Sequence, residues 1–124
     1  MNEMRYCVVA NIVKERIDEN GVIRYGTSAF TGGTKVYLCG RNRDPQGNEV
    51  GAIGLTRGKR HQFVMVKRNQ ITNLRVQKVF KPSILFFLTD MEFNECCWGS
   101  SEAERLHAEN FVRCWNEANE KADG

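Results

Sequence analysis

Histidine and cysteine are the residues of this 124-residue chain whose chemistry is easiest to test by spacing, because both types bind metals and act in catalysis. Cys96, Cys97, His107 and Cys114 follow the spacing C-C-x9-H-x6-C, unlike the C-x2-C and H-x3–5-H pairs of zinc modules. On a helix, the last two would have Cα atoms about 10 Å apart, whereas zinc ligands converge to about 2.3 Å from one ion. The pattern therefore predicts no metal site.

A nucleophile with a histidine base is the second chemistry to consider. The chain has two histidines, His61 and His107, and catalysis needs one of them beside a Cys or Ser and oriented by a third group. His61 follows the cations Lys59 and Arg60, with no acidic residue nearby in the sequence. Residues 51–54 also lack the G-x-G-x-x-G spacing of a phosphate-binding loop. We therefore predict a protein that is not an enzyme and uses no cofactor.

Charge is sorted along the chain. Residues 35–81 contain 11 Lys or Arg and the two acids Asp44 and Glu49, so this segment is net +9. Residues 90–124 contain nine acids and three basic residues, so this segment is net −6. Opposite electrostatic fields steer association, so the sorting indicates surfaces that bind charged partners.

The basic segment contains the predicted binding residues, because cations at loops and strand ends can neutralise phosphates or meet an acidic protein surface. These candidates are Arg41, Arg43, Arg57, Lys59, Arg60, Lys67 and Arg68. The outer face of the C-terminal segment is the acidic candidate surface, with Glu109, Glu117 and Glu120. The alternative is a solvated basic face that the acidic segment partly neutralises by folding back on it.

The elements that must position these residues are mostly strands. Apolar and β-branched runs predict strands over residues 6–13, 22–25, 34–39, 50–56, 60–67 and 71–80. Asn-Gly within residues 18–21 indicates a hairpin turn, residues 57–59 form a second turn, and residues 41–49 form a polar loop. Residues 83–88 fit either a short helix or a buried strand, since their length does not decide between them.

The C-terminal segment predicts one amphipathic helix at about residues 101–121. Ser101 and Glu104 match a capping box, in which the hydroxyl and the carboxylate each accept a backbone N–H at the start of the helix. Rotation by 100° per residue puts several side chains on one stripe, which is the predicted core face. The stripe consists of Ala103, His107, Phe111, Cys114, Trp115, Ala118 and Ala122.

Together these elements predict a mainly β protein with a C-terminal helix, of the α+β class. The helix caps either a small bent antiparallel sheet or an SH3-like barrel. The length predicts a single domain over residues 1–124, with the sheet or barrel at about 5–88. In such a core, Tyr37 and Phe63 are more simply buried side chains than platforms for stacking bases.

The sequence also predicts a cytoplasmic protein without membrane contact. The longest apolar run, residues 84–88, is far shorter than the roughly 20 residues a membrane helix needs, and the N-terminus lacks the pattern of a signal peptide. The five cysteines are an odd number at irregular spacing, unlike the disulfide framework of a small secreted protein. We expect them to be buried thiols that pack as small apolar residues.

Four segments of the β region together resemble a group of small bacterial β-rich proteins. They are YCVVANIV at 6–13, GTSAF leading into GTKVY at 26–37, IGLTR at 53–57 and NLRV leading into VFKP at 73–82. The group has the general pattern YWVVANV, GTKHF, GTKVY, VIGxHR and NLRxxxVYSP. The chain differs from it at Ala29 and Thr56, where the group has histidine, and local hydrogen bonding before the last strand explains the shared polar residues Asn73 and Arg75.

This resemblance implies a binding function, because such proteins are similar to the immunity proteins encoded beside bacterial polymorphic toxins. The expected function is therefore a non-enzymatic binding protein whose partner is another protein, a toxin domain that it neutralises. The alternative is a nucleic-acid-binding small barrel that uses the basic segment 35–81.

Overall fold

The computed structural model describes residues 4–24, 26–44, 46–80 and 97–123. The side chains of Arg16, Arg24, Arg41, Phe80, Cys97 and residues 118–123 lie outside this description. In the described ranges the strands are β1 (Met4–Ile12), β2 (Arg16–Ile17), β3 (Ile23–Arg24), β4 (Lys35–Arg43), β5 (Glu49–Leu55), β6 (His61–Lys67), β7 (Ile71–Phe80) and β8 (Cys97–Gly99). A short 3-10 turn, Arg68–Gln70, joins β6 to β7, and the helix α1 spans Glu102–Asp123.

The main sheet is antiparallel and open, with the strand order β6-β5-β4-β1-β7. One edge of β1 is shared, because β4 pairs with Val8–Asn11 while β8 pairs with Tyr6 and Cys7. Strands β2 and β3 form a separate two-stranded ribbon. The prediction of an α+β protein is therefore confirmed, and of the two predicted architectures the sheet is the bent, open one rather than a closed barrel.

β1 is the central strand because both of its faces are apolar. Val8, Ala10 and Ile12 belong to the larger core, and Cys7 and Val9 belong to a second core on the opposite face, together with Cys39, Ile53 and Val79. Burying each Val or Ile side chain contributes about 1.5–3 kcal/mol. The run of apolar residues at 7–10 thus correctly indicated a strand covered on both sides.

Helix α1 packs against β7, β1 and β8. The side chains that it buries are Ala108, Phe111 and Trp115, and Val112 is partly buried beside them. The predicted core stripe was wrong at Ala103, His107 and Cys114, which are exposed, and Ala118 and Ala122 lie outside the described side chains. The helix is rotated so that its two largest aromatic residues, rather than its small ones, enter the core.

The helix start agrees with the predicted cap. The hydroxyl of Ser101 accepts a hydrogen bond from the backbone N–H of Glu104 at 3.2 Å, which satisfies one of the orphan donors of the first turn. Within the described ranges no helix combines the length and the hydropathy that a membrane crossing requires.

The turns follow their sequence signals closely. Asp18 Oδ1 accepts the backbone N–H groups of Asn20 and Val22, both at 2.9 Å, and Gly21 has φ +78°. The predicted loop at 41–49 is shorter than expected, because β4 continues to Arg43 and Asp44 Oδ1 closes the turn by accepting from the N–H of Asn48 at 2.6 Å. Residues 83–88, for which helix and strand were both open, lie outside the described ranges.

Candidate binding surface

The seven predicted cationic residues are divided between two ends of the sheet. Arg57, Lys59 and Arg60 lie in or beside the turn between β5 and β6, whereas Arg43, Lys67 and Arg68 lie at the opposite end of those strands. β6 is seven residues long, so at about 3.4 Å per residue the two groups are about 20 Å apart. Arg41 lies in β4, but its side chain is outside the described part.

At the turn end, one cation supports the fold and two face solvent. Arg57 Nε donates to the carbonyl of Thr27 at 3.2 Å, and its backbone N–H donates to the carbonyl of Ala29 at 2.9 Å. The side chains of Lys59 and Arg60 are exposed. Lys59 has φ +60°, which belongs to the tight turn. This end therefore presents Lys59 and Arg60 to a partner.

At the opposite end, two of the cations lie on aromatic rings of α1. The Arg43 guanidinium is 5.3 Å from the centre of the Phe111 ring, and the Arg68 guanidinium is 4.7 Å from that of Trp115. Arg68 Nη2 also donates to the carbonyl of Gly47. Cation–π contacts of this kind contribute about 0.5–2 kcal/mol. These two arginines thus help to dock α1 on the sheet.

The acidic residues of α1 pair with arginines of the same helix. Arg105 Nη1 is 2.7 Å from a carboxylate oxygen of Glu109, and Arg113 Nη1 is 3.2 Å from Glu117. Arg105 also hydrogen-bonds Glu102, which lowers the pKa of that carboxyl. Among the described side chains, these carboxylates are answered within the helix rather than by the basic end of the sheet. Glu120 lies in α1, with its side chain outside the described set.

The edge strand β6 carries the features that sequence reasoning missed. Its inner edge pairs with β5, and no strand in the described ranges pairs with its outer edge. Phe63 and Met65 project from one face and are 42% and 41% exposed, while Val66 on the other face is in the core. The expectation that Phe63 is a core residue was therefore wrong. Leu55, at the end of β5, adds a third exposed apolar side chain, 42% exposed.

We call this region the β6 edge surface, defined by the outer edge of β6 with Leu55, Phe63 and Met65. Lys59 and Arg60 lie at one end of it, and Lys67 and Arg68 lie at the other. Lys67 is exposed and is opposite Glu49 in the register of β5 and β6. The surface is thus an apolar strip about 20 Å long with positive charge at both ends.

Two shallow cavities lie beside Lys67. One has a volume of about 270 Å³ and is lined by Asn48, Glu49, Lys67, Arg68 and Asn69. The other has a volume of about 300 Å³ and is lined by Ile17, Asp18, Glu19, Lys67, Asn69 and Gln70. Carboxylate, amide and ammonium groups together line them, which suits polar contacts at the rim of an interface rather than the apolar enclosure of a small molecule.

In the described part of the chain, no three His, Cys, Asp or Glu side chains converge in the way a metal site requires. His107 packs against Trp98, with ring centres 5.2 Å apart, and Cys114 is exposed. Cys7 and Cys39 are fully buried, as expected for thiols that pack as apolar residues. Comparison of the chain with protein-family models, curated proteins and solved structures finds no match.

Proposed function

We propose that this chain is a non-enzymatic binding protein that recognises another protein through the β6 edge surface. The observation that carries the proposal is an edge strand whose outer edge is unpaired among the described strands and which exposes Phe63 and Met65 on one face. An edge of this kind is a template for pairing with another chain. Proteins usually blunt such edges with charge or cover them, so an apolar edge favours a role in association.

The mode of binding that fits this surface is β-strand addition. A partner segment in the extended conformation adds a strand, so that main-chain hydrogen bonds supply affinity and alternate side chains supply specificity. Phe63 and Met65 are two residues apart and therefore lie on the same face of β6. Apolar side chains of the added strand would contact them from the neighbouring position.

The charges at the two ends indicate the chemistry of the partner segment. Acidic residues beyond each end of the added strand would meet Lys59 and Arg60 at one end and Lys67 and Arg68 at the other. Charge complementarity of this kind raises the association rate and selects the correct partner. The proposed ligand is therefore an extended protein segment with apolar residues at alternate positions and acids on both sides.

The resemblance to small bacterial β-rich proteins supports a specific partner class. Immunity proteins bind one toxin domain and block it, and the proposal assigns that role to this chain, acting in the cytoplasm. The test is co-expression with the toxin domain encoded beside the gene, with growth and affinity as readouts. Protection of growth with submicromolar binding is the expected outcome, and failure to bind or protect would remove the toxin assignment.

Variants separate the β6 edge surface from the rest of the molecule. Met65→Lys puts a charge into the apolar strip and should weaken partner binding about tenfold or more, which corresponds to about 1.4 kcal/mol. Leu106→Lys is the matched control, because Leu106 is 54% exposed on α1. Equal losses in both variants, with unchanged circular dichroism, would contradict the assignment of the surface.

A nucleic-acid-binding function is the second candidate, and the exposed ring of Phe63 favours it. Single-strand binding combines aromatic side chains for base stacking with cations that track the phosphates, and Lys59 and Arg60 lie at the turn that leads into β6. We expect this function to give oligonucleotide binding at about 50 mM salt that weakens steeply with added salt. Lys59→Gln with Arg60→Gln should then reduce the slope of log K against log salt by about 2. Absence of binding at the low-salt condition would exclude it.

A further inference from the structure

Lys35 is a cation at the centre of the sheet rather than at a loop. It is the first residue of β4 and lies directly opposite Asn11 of β1 in the strand register. Its ammonium is 5.4 Å from the centre of the Tyr37 ring on the same strand. Burial lowers the pKa of Lys35, and the nearby Arg75 lowers it further, while Cys7 acts in the opposite direction. The charge of Lys35 is thus held in an unfavourable place.

Arg75 of β7 approaches the same point from the other side of β1. Its Nη1 donates to Asn11 Oδ1 and to the carbonyl of Asn73, both at 2.8 Å. The amide of Asn11 is itself oriented, because its Nδ2 donates to the carbonyl of Gly33 at 3.2 Å. The guanidinium is therefore fixed by one nitrogen, and its Nε and Nη2 have no hydrogen-bond partner among the described residues.

A β-bulge in β7 produces this arrangement. The register with β1 shifts between Val9 and Asn11, and Asn73 has φ +58°, a left-handed conformation that asparagine tolerates better than most residues. Bulges re-aim side chains and are frequent beside functional sites. Here the bulge turns the carbonyl of Asn73 toward Arg75.

No carboxylate of the described residues pairs with Lys35 or Arg75. The register neighbours on this face are uncharged, with Asn11 between Lys35 and Thr72. By contrast, both arginines whose ion pairs are given in α1 have carboxylate partners. Two cations that lower each other's stability without a counter-charge form a site that an anion would stabilise.

We propose that Lys35 and Arg75 form a binding site for a phosphate group, with Asn11 as the residue that positions the guanidinium. Two positive charges match the charge of about −1.5 to −2 that a phosphate monoester carries at neutral pH. The Nε and Nη2 groups of Arg75 form the planar fork that binds two oxygens of one oxyanion, and Lys35 supplies a second charge.

This site is separate from the β6 edge surface. Strands β5 and β4 lie between β6 and β1, and at about 4.8 Å per strand step the site is about 14 Å from the edge. The proposal therefore does not depend on the protein-binding function. Its ligand is either free inorganic phosphate or the phosphate of a small organic monoester.

The test is a titration of the full chain with inorganic phosphate, followed by amide chemical shifts at constant ionic strength and pH 7. We expect saturable shifts at Asn11, Lys35 and Arg75, with affinity about tenfold weaker for Lys35→Gln and Arg75→Gln. Lys59→Gln is the control, because Lys59 is an exposed cation in a turn, and its affinity should change less than about twofold. A parallel titration with glycerol 3-phosphate decides between the free ion and a monoester, according to which binds more tightly.

Asn11→Asp is the sharpest variant, because it is nearly isosteric and puts a carboxylate beside Arg75. It should abolish phosphate binding while the protein stays folded, so it decides the question even if Arg75→Gln is unfolded. Shifts that rise linearly without saturation, or an equal loss of affinity in Lys59→Gln, would overturn the proposal. Retention of phosphate binding by Asn11→Asp would overturn it as well.

Discussion

Gly51 controls how the exposed ring of Phe63 lies on the sheet. A Cβ atom at this position would be 2.4 Å from Phe63 Cζ and 3.0 Å from the Cβ of Asn42, both closer than van der Waals contact. The ring therefore covers the backbone of β5 because the residue beneath it has no side chain. A glycine inside a strand signals close approach, but the approaching residue belongs to another strand, and the sequence does not reveal which one it is.

Gly51→Ala should therefore displace the Phe63 ring. We expect a loss of about 1 kcal/mol in the free energy of unfolding, because the ring must leave its contact with β5. Gly58→Ala is the matched control, since a Cβ there would meet only Thr56 Oγ1 at 3.8 Å, and its effect should stay within about 0.5 kcal/mol. Urea denaturation measures both, and an unchanged or higher stability for Gly51→Ala would contradict this contact.

Lys35 gives a prediction about pH at the same scale. Its pKa in the folded state is below the ordinary value of 10.5, chiefly because of burial and then because of Arg75. Below the folded pKa the charge destabilises the fold, and this penalty disappears as the pH rises through the folded pKa toward the unfolded one. Lys35→Met should therefore be more stable than the wild type at pH 7, by about 0.5 kcal/mol after solvent screening.

The gain of Lys35→Met should shrink as the pH approaches 10.5. Denaturation curves between neutral and alkaline pH measure it, in a buffer without phosphate. Lys78→Met is the control, because Lys78 is exposed on β7 and its substitution should change stability by less than about 0.5 kcal/mol. A gain for Lys35→Met that is absent at pH 7, or that grows with pH, would show that burial does not strain this ammonium.

At the scale of elements, the rotation of α1 depends on a partner that the helix sequence does not contain. Trp98 of β8 lies between the sheet and the helix, with its ring centre 5.1 Å from that of Phe111. A Cβ at Gly40 would be 2.4 Å from Trp98 Cη2, so that glycine makes room for the indole on β4. The helical period correctly predicted the helix, but choosing its buried face required knowing where Trp98 lies.

Phe111→Ala tests this packing. The ring is only 6% exposed and contacts both Trp98 and Trp115, so its removal should cost about 3–5 kcal/mol. Leu106→Ala on the exposed side of α1 should cost less than about 0.5 kcal/mol. The two values come from chemical denaturation followed by tryptophan fluorescence. A cost below about 1 kcal/mol for Phe111→Ala would mean that α1 does not hold the core closed.

At the scale of the whole molecule, local signals predicted the strands, turns and helix, while long-range pairing decided the rest. Whether the sheet closes depends on how distant strands meet, which no local pattern of β6 or β7 specifies. The candidate site shows the same limit. Charge sorted along the sequence suggested one basic surface, but β6 separates Arg60 from Lys67, and α1 pairs Glu109 and Glu117 internally.

The open edge raises the question of self-association, and charge answers it. If β6 paired with β6 of a second copy about a two-fold axis at Val64, His61 would lie opposite the second copy's Lys67, and Arg60 opposite its Arg68. Like charges in such positions destabilise pairing, so we expect a monomer in analytical ultracentrifugation. Arg60→Glu would place opposite charges at both ends of this pairing and should promote dimers, whereas Arg113→Glu on α1 should not. A wild-type dimer, or an Arg60→Glu variant as monomeric as the control, would show that the charged ends do not protect this edge.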